Sequence, residues 1–167
     1  FHRLGVHILR EEGHLIGLSK YFTIFDKADA TRAIKEAIIS RGLDPKQFEP
    51  GRVGNTISRQ KGEMVTAREY AERTGNDYFP RIVADVWQTY EELLKKEGAL
   101  DFDDLLLKTA LLLRDNEDVR KRYQTKWEYI HVDEYQDTNG VQYKIAQILA
   151  EKHKNICVVG DTDQNIY

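Results

Sequence analysis

Apolar positions recur along most of the chain at intervals of three and four, and in a few short stretches they crowd together without any interval. The first pattern predicts amphipathic helices and the second predicts buried strands. Leu4, Ile8 and Leu9, ahead of the polar run that ends in Gly13, predict a helix over 1–12. Residues Tyr21 to Phe25 are dense in β-branched and aromatic side chains and read as a short strand. Asp26 or Asp29 then caps a helix with Ala33, Ile34, Ala37 and Ile38 on one face, stopped by Gly42 and Pro45. From Asp44 to Gly62 the periodicity fades among Pro45, Pro50, Gly51 and Gly54, so a loop is expected, with at most a short helical piece near Thr56 to Gln60. Thr66 and Glu69 form a capping box for a short helix to Gly75. A longer helix follows from about Asp77 to Glu97, with Ile82, Val86, Trp87, Tyr90, Leu93 and Leu94 along one stripe.

In the last third the two patterns alternate. Asp101 suits an N-cap, with Leu100 and Leu105 at the positions of a hydrophobic staple, and the apolar run to Leu113 predicts a buried helix. Asn116 caps another short helix carrying Val119 and Tyr123. Tyr129, Ile130 and Val132 read as a buried strand, which must stop where Asp133, Glu134 and Asp137 begin, because unpaired buried carboxylates are too costly. Thr138 or Asn139 then caps a helix carrying Val141, Ile145, Ile148 and Leu149, and Ile156 to Val159 is a second apolar strand. Strand, helix and strand at this spacing predict a right-handed crossover with two adjacent parallel strands. Both polar clusters, D-E-Y-Q-D at 133–137 and G-D-T-D-Q at 160–164, then fall on one edge of the sheet, where open parallel sheets bind ligands.

Composition adds limits. At 41% hydrophobic and 32% charged residues the chain has the balance of a globular protein, and no apolar run approaches the roughly 20 residues of a membrane span. No secretory leader is visible, and without a start methionine the chain looks cut out of something larger. The single cysteine, Cys157, excludes a disulfide framework, fits a reducing compartment such as the cytoplasm, and is expected as a small buried hydrophobe. Net charge is −3, which gives no overall footprint for nucleic acid. The acidic surplus is concentrated in residues 97–140, with 6 Lys and Arg against 11 Asp and Glu. Arg52, Arg59 and Lys61 with Asn55, Thr56 and Ser58 are residue types that hold phosphates, although a solvated loop has the same composition.

The carboxylates permit a definite chemistry. An aspartate at a strand tip can hold Mg²⁺, a glutamate beside it can orient a water toward a phosphate, and the neutral Gln164 can hydrogen-bond a γ-phosphate oxygen. The alternative is an ordinary acidic turn. The five histidines have no zinc spacing, and neither a G-x-S-x-G elbow nor a G-x-G-x-x-G loop occurs. No G-x-x-x-x-G-K-[ST] loop occurs either, so this polypeptide alone is not expected to hydrolyse ATP.

These residues carry a resemblance. V-D-E-Y-Q-D-T-N (Val132 to Asn139) resembles the Walker B motif of the UvrD/Rep/PcrA group of superfamily 1 DNA helicases, and V-V-G-D-T-D-Q-N-I-Y (Val158 to Tyr167) resembles that group's third motif. Phe1-His2 is similar to the tail of its T-F-H-S segment. L-D-F-D-D-L-L (Leu100 to Leu106) matches the element by which the chain returns to the motor, and D-P-K-Q-F-E-P (Asp44 to Pro50) with T-I-S (Thr56 to Ser58) resembles its helical insertion. Thr162 and Asn165 stand where the group more often has an acidic or small residue and a serine. The resemblance implies an α/β, predominantly helical fold: part of a RecA-like (P-loop NTPase) parallel sheet over 1–25 and 100–167, enclosing an all-helical subdomain at 26–99. It implies an ATP-dependent 3′-to-5′ DNA helicase or translocase, active only with the rest of its chain, including the phosphate loop and the second motor domain. Asp133 would coordinate Mg²⁺, Glu134 would activate the water, and Gln164 would contact the γ-phosphate of ATP. Tyr167 would stack on single-stranded DNA, with His2 near the same path and duplex DNA ahead of it. Alternatives are the helicase subunit of a helicase-nuclease complex and a non-catalytic DNA- or protein-binding module.

Overall fold

The computed structural model describes residues 1–161, so Gln164 and Tyr167 lie outside the described residues. The chain runs α1 (His2–Glu12), a 3₁₀ turn (Gly13–Ile16), β1 (Thr23–Phe25), α2 (Lys27–Ser40), α3 (Pro50–Gly62), α4 (Ala67–Arg73), α5 (Tyr78–Lys96), β2 (Ala99–Asp101), α6 (Phe102–Asp115), α7 (Glu117–Lys126), β3 (Ile130–Val132), a 3₁₀ turn (Tyr135–Asp137), α8 (Gly140–Ala150) and β4 (Ile156–Val158). The fold is α/β and mostly helical, with two short parallel strand pairs. β1 lies beside β2 with Thr23 opposite Ala99, and β3 lies beside β4 with Ile130 opposite Ile156.

Local chemistry sets half of the α-helix starts among the described residues. Asp26 with Asp29, Thr66 with Glu69, Asp101 with Asp104 and Asn139 with Gln142 each close a reciprocal capping box, satisfying backbone N–H groups that the first turn leaves open. At the other end of α5, Gly98 takes φ +60°, a conformation that costs a side-chain-bearing residue, and the chain turns directly into β2.

Packing sorts the buried side chains into two cores. One joins Ile8, Leu9 and Phe22 to Leu105, Leu106, Leu112, Tyr123, Ile145 and Leu149, and so draws on both ends of the described chain. The other joins Ala33, Ile34, Ile38, Val53, Ile57, Val83, Trp87 and Leu94, all from the segment between β1 and β2. The chain therefore leaves along β1, builds a separate helical unit, and returns along the adjacent strand β2.

Three expectations change. The segment expected as a loop contains α3, a 13-residue helix. Pro50 is tolerated in its first turn, and Val53, Ile57 and Lys61 form a buried stripe that outweighs the low helix propensity of its glycines. A Cβ at Gly54 would lie 3.1 Å from Ile34 Cδ1, so that glycine serves the approach of α2. Next, β2 is a strand where a helix cap alone was expected; three residues are too few to show a periodicity, and the pairing with β1 creates it. Last, Tyr129 is exposed, and so are Ile156, Cys157 and Val158, instead of forming buried strands. α8 covers β3, whereas β4 packs chiefly on β3 itself, so its side chains keep their contact with solvent.

Candidate nucleotide and DNA site

The crossover from β3 through α8 to β4 brings the D-E-Y-Q-D cluster to the same edge as Gly160 and Asp161, the described part of the second polar cluster, in line with the spacing. Beyond the last paired residues the strands stay joined: Val159 N–H donates to the Val132 carbonyl at 2.8 Å, and Tyr135 N–H donates to the Val159 carbonyl at 2.9 Å. Val132 is buried and anchors the strand end, while Asp133 and Glu134, the next two residues, are exposed.

Glu134 has φ 51° and ψ 47°, the left-handed region that non-glycine residues seldom occupy. The turn holds it there. Its amide N–H donates to Asp133 Oδ1 at 3.0 Å, and its carbonyl accepts from Asp137 N–H at 2.9 Å. Its carboxylate Oε2 accepts from Gln136 Nε2 at 2.6 Å, and Gln136 Oε1 in turn accepts from the Asp161 N–H at 3.0 Å. One amide side chain thus fastens the water-facing glutamate to the neighbouring loop. Gly160 makes this possible, since a Cβ there would sit 2.8 Å from Gln136 Oε1. Sequence reasoning passed over Gln136; its signal was an amide two residues after Glu134, within reach of both loops.

Asp133 could serve as one ligand of a Mg²⁺ ion. Among the described residues no group of three or more side chains could enclose a metal ion, so Asp133 would act as a single carboxylate ligand. That is the ordinary requirement for an ion that keeps its waters and shares phosphate oxygens with a bound nucleotide. Asp133 Oδ1 accepts from the Glu134 amide, which orients the exposed carboxylate.

His2 lies elsewhere. Its ring meets Phe102 edge-on at 5.6 Å, beside the carboxyl end of β2, and partial burial lowers its pKa from the usual value. Phe102 is half exposed and lines a groove of about 310 Å³ between α2, α3 and the ends of β1 and β2. His2 therefore sits beside the end of the β1–β2 pair, through Phe102, and the carboxylates at the end of the β3–β4 pair. The basic residues of the expected loop also separate: Arg52 is exposed and stacks 4.4 Å from the Phe79 ring, and Arg59 is exposed, but Lys61 is wholly buried and no phosphate contact.

The family model described as the UvrD/REP helicase N-terminal domain matches residues 1–167. The ATP-dependent DNA helicase PcrA of Bacillus subtilis (strain 168) is 44% identical over 167 residues, all of this chain and 22% of that protein. The protein of the same name from Leuconostoc citreum is 45% identical over the whole chain and 22% of its own length, and that from Staphylococcus aureus (strain COL) 44% identical over the whole chain and 23% of its own. The chain spans less than a quarter of the length of these relatives.

Proposed function

Because the chain belongs to the UvrD/Rep helicase family, we propose that it forms part of an ATP-dependent DNA helicase or translocase of 3′-to-5′ polarity, and that residues 133–161 are the hydrolytic edge of its motor. The observation that carries this reading is the fastening of Glu134 to the opposite loop through Gln136. Catalysis of phosphoryl transfer is largely positioning and electrostatics, and this arrangement positions.

Asp133 would hold Mg²⁺, which when bound neutralises charge on the phosphates. Glu134 takes the role of orienting the attacking water and accepting its hydrogen bond. Its Oε2 accepts from the Gln136 amide, which holds the exposed carboxylate in place. Gln164 is assigned to the γ-phosphate, and Tyr167 with His2 to single-stranded DNA; the groove and exposed aromatic ring beside His2 support the last of these. Residues 26–99 are proposed as an inserted helical subdomain between motor segments 1–25 and 100–167, a division supported by the separate core. Partners are then single-stranded and duplex DNA and a second motor domain, and the setting is the cytoplasm. No helix among the described residues is long and apolar enough to cross a membrane.

The test is Glu134→Gln in the full-length protein. ATP turnover is expected to fall by about 10²–10⁴-fold, the usual worth of a positioned acid-base group, with nucleotide affinity retained. Normal turnover in the variant overturns the assignment.

A further inference from the structure

The last turn of α3 is held from two sides. On one side Lys61, wholly buried, donates from Nζ to Asp101 Oδ2 at 2.8 Å and Asp104 Oδ1 at 2.9 Å, with Glu91 Oε1 at 3.3 Å. Asp101 is also the N-cap of α6 and accepts from the Tyr90 hydroxyl at 2.9 Å. A buried ammonium with two carboxylates is strongly directional, because breaking either contact leaves an uncompensated charge. The end of α3 is thereby pinned to β2, α5 and α6.

On the other side the same turn abuts the start of α8. A Cβ at Gly140 would lie 3.2 Å from the Gly62 carbonyl oxygen and 3.1 Å from Glu63 Oε2, and a Cβ at Gly62 would lie 3.4 Å from Asn139 Nδ2. The close approach of the two backbones depends on Gly140, where a Cβ would crowd the Gly62 carbonyl, while Gly62 itself leaves ordinary contact room for Asn139. Asn139 is itself rigid: its side chain accepts from Gln142 N–H and Gln142 Oε1 accepts from Asn139 N–H, each at 3.0 Å. Between Asn139 and Glu134 lies a single tight turn, closed by Asp137 N–H on the Glu134 carbonyl and Thr138 N–H on the Tyr135 carbonyl.

We propose that Lys61 and Gly140 are positioning residues for the carboxylates, the pinned end of α3 acting as a stop that fixes where α8 begins and so where the turn bearing Glu134 lies. The helical unit between β1 and β2 thus bears on the hydrolytic edge through backbone contact, and a load on that unit reaches Glu134 without touching the nucleotide. This rests on the reading of Glu134 as the residue that orients the water.

The experiment uses the full-length protein, wild type against Gly140→Ala and Lys61→Met, with DNA-stimulated ATP kinetics, thermal melting and amide hydrogen exchange over residues 133–139. Gly140→Ala is expected to lower kcat by roughly 2- to 30-fold, the range for residues that modulate coupling without contacting a ligand, with KM for ATP held within about twofold. Exchange over 133–139 rises in both variants while the melting temperature of Gly140→Ala stays near that of wild type. Unchanged kcat and unchanged exchange over 133–139 in Gly140→Ala overturn the proposal, as does exchange that rises equally throughout the chain, which marks a merely structural role. If Lys61→Met does not fold, Gly140→Ala decides alone. Should wild type not hydrolyse ATP, the functional reading fails, and the exchange comparison still decides the contact.

Discussion

Glu134, Met64 and Lys154 are the non-glycine residues at positive φ among the described residues, and the first two flank the contact between α3 and α8. Strain of this kind persists only where surroundings over-determine it. At Glu134 the surroundings are the Gln136 amide and the 3₁₀ turn; at Met64 they are its own N–H donating to the Lys61 carbonyl, the Val65 N–H donating to the Gln60 carbonyl, and the packing of its side chain against the first core. The carboxylates were legible in the sequence because acidic residues directly after an apolar strand must lie at the strand's solvent end, which is also the ligand edge of a parallel sheet. Lys61 was not, because a lysine among arginines and polar residues has the composition of a solvated surface, and only the fold brings Asp101 and Asp104 to it from 40 residues and more away. Its cluster predicts an alkaline sensitivity. Burial and the adjacent Asp101 carboxylate push the Tyr90 phenol far above its ordinary value of 10.0, so the folded state keeps it protonated while the unfolded chain ionises. Lys61 is opposed by burial, yet Asp104 and Asp101 raise it well above 10.5, so its contribution is complete below that value and is lost as pH climbs toward its folded pKa. Both signs agree. The urea midpoint is expected to fall as pH rises through 10 to 11, and to fall less in Tyr90→Phe; identical alkaline limbs for the two proteins would refute it.

Helices with a capping box were readable one by one, since the box is a purely local device and needs no knowledge of the fold. Four such starts lie among the described residues, and the two residues that build each are three apart in sequence. α3 was not readable, because its stability comes from the neighbours of Val53, Ile57 and Lys61 and not from its own propensities. The same lesson reverses the usual sign of a glycine substitution in α1. Gly5 sits inside that helix, where alanine would ordinarily stabilise by about 1 kcal/mol. Here a Cβ would lie 2.6 Å from the Leu105 carbonyl oxygen and 3.2 Å from Thr109 Oγ1, both on α6. Gly5→Ala is therefore expected to destabilise by about 1–3 kcal/mol through overpacking, read as a lowered urea midpoint with an unchanged slope. A stabilised variant would show that α1 and α6 are not in this contact.

At the scale of the molecule, the two parallel pairs were half foreseen. The crossover from β3 to β4 is local and followed from spacing, but the pairing of β1 with β2 joins strands separated by the whole helical unit, and no local pattern records it. The burial of β4 was misjudged for a related reason: an apolar strand says that it has a cover, not where in the chain that cover is. Ile156, Val158 and Val159 are 44%, 47% and 59% exposed, with the Cys157 thiol exposed among them. Among the described residues β4 pairs on one side only, and an apolar strand edge of that kind is a surface that other backbone pairs with readily. The relatives are more than four times as long as this chain, which leaves ample polypeptide to supply that pairing. The prediction follows from the thiol. In the 167-residue chain Cys157 should react with a small disulfide reagent nearly as fast as a peptide thiol, and the chain should associate as concentration rises. In the full-length protein the same thiol should react at least about tenfold more slowly, because exchange of a covered strand waits on local opening. Equal rates in the two would mean that β4 is an outer strand in the longer protein as well, with its apolar side chains facing solvent in both.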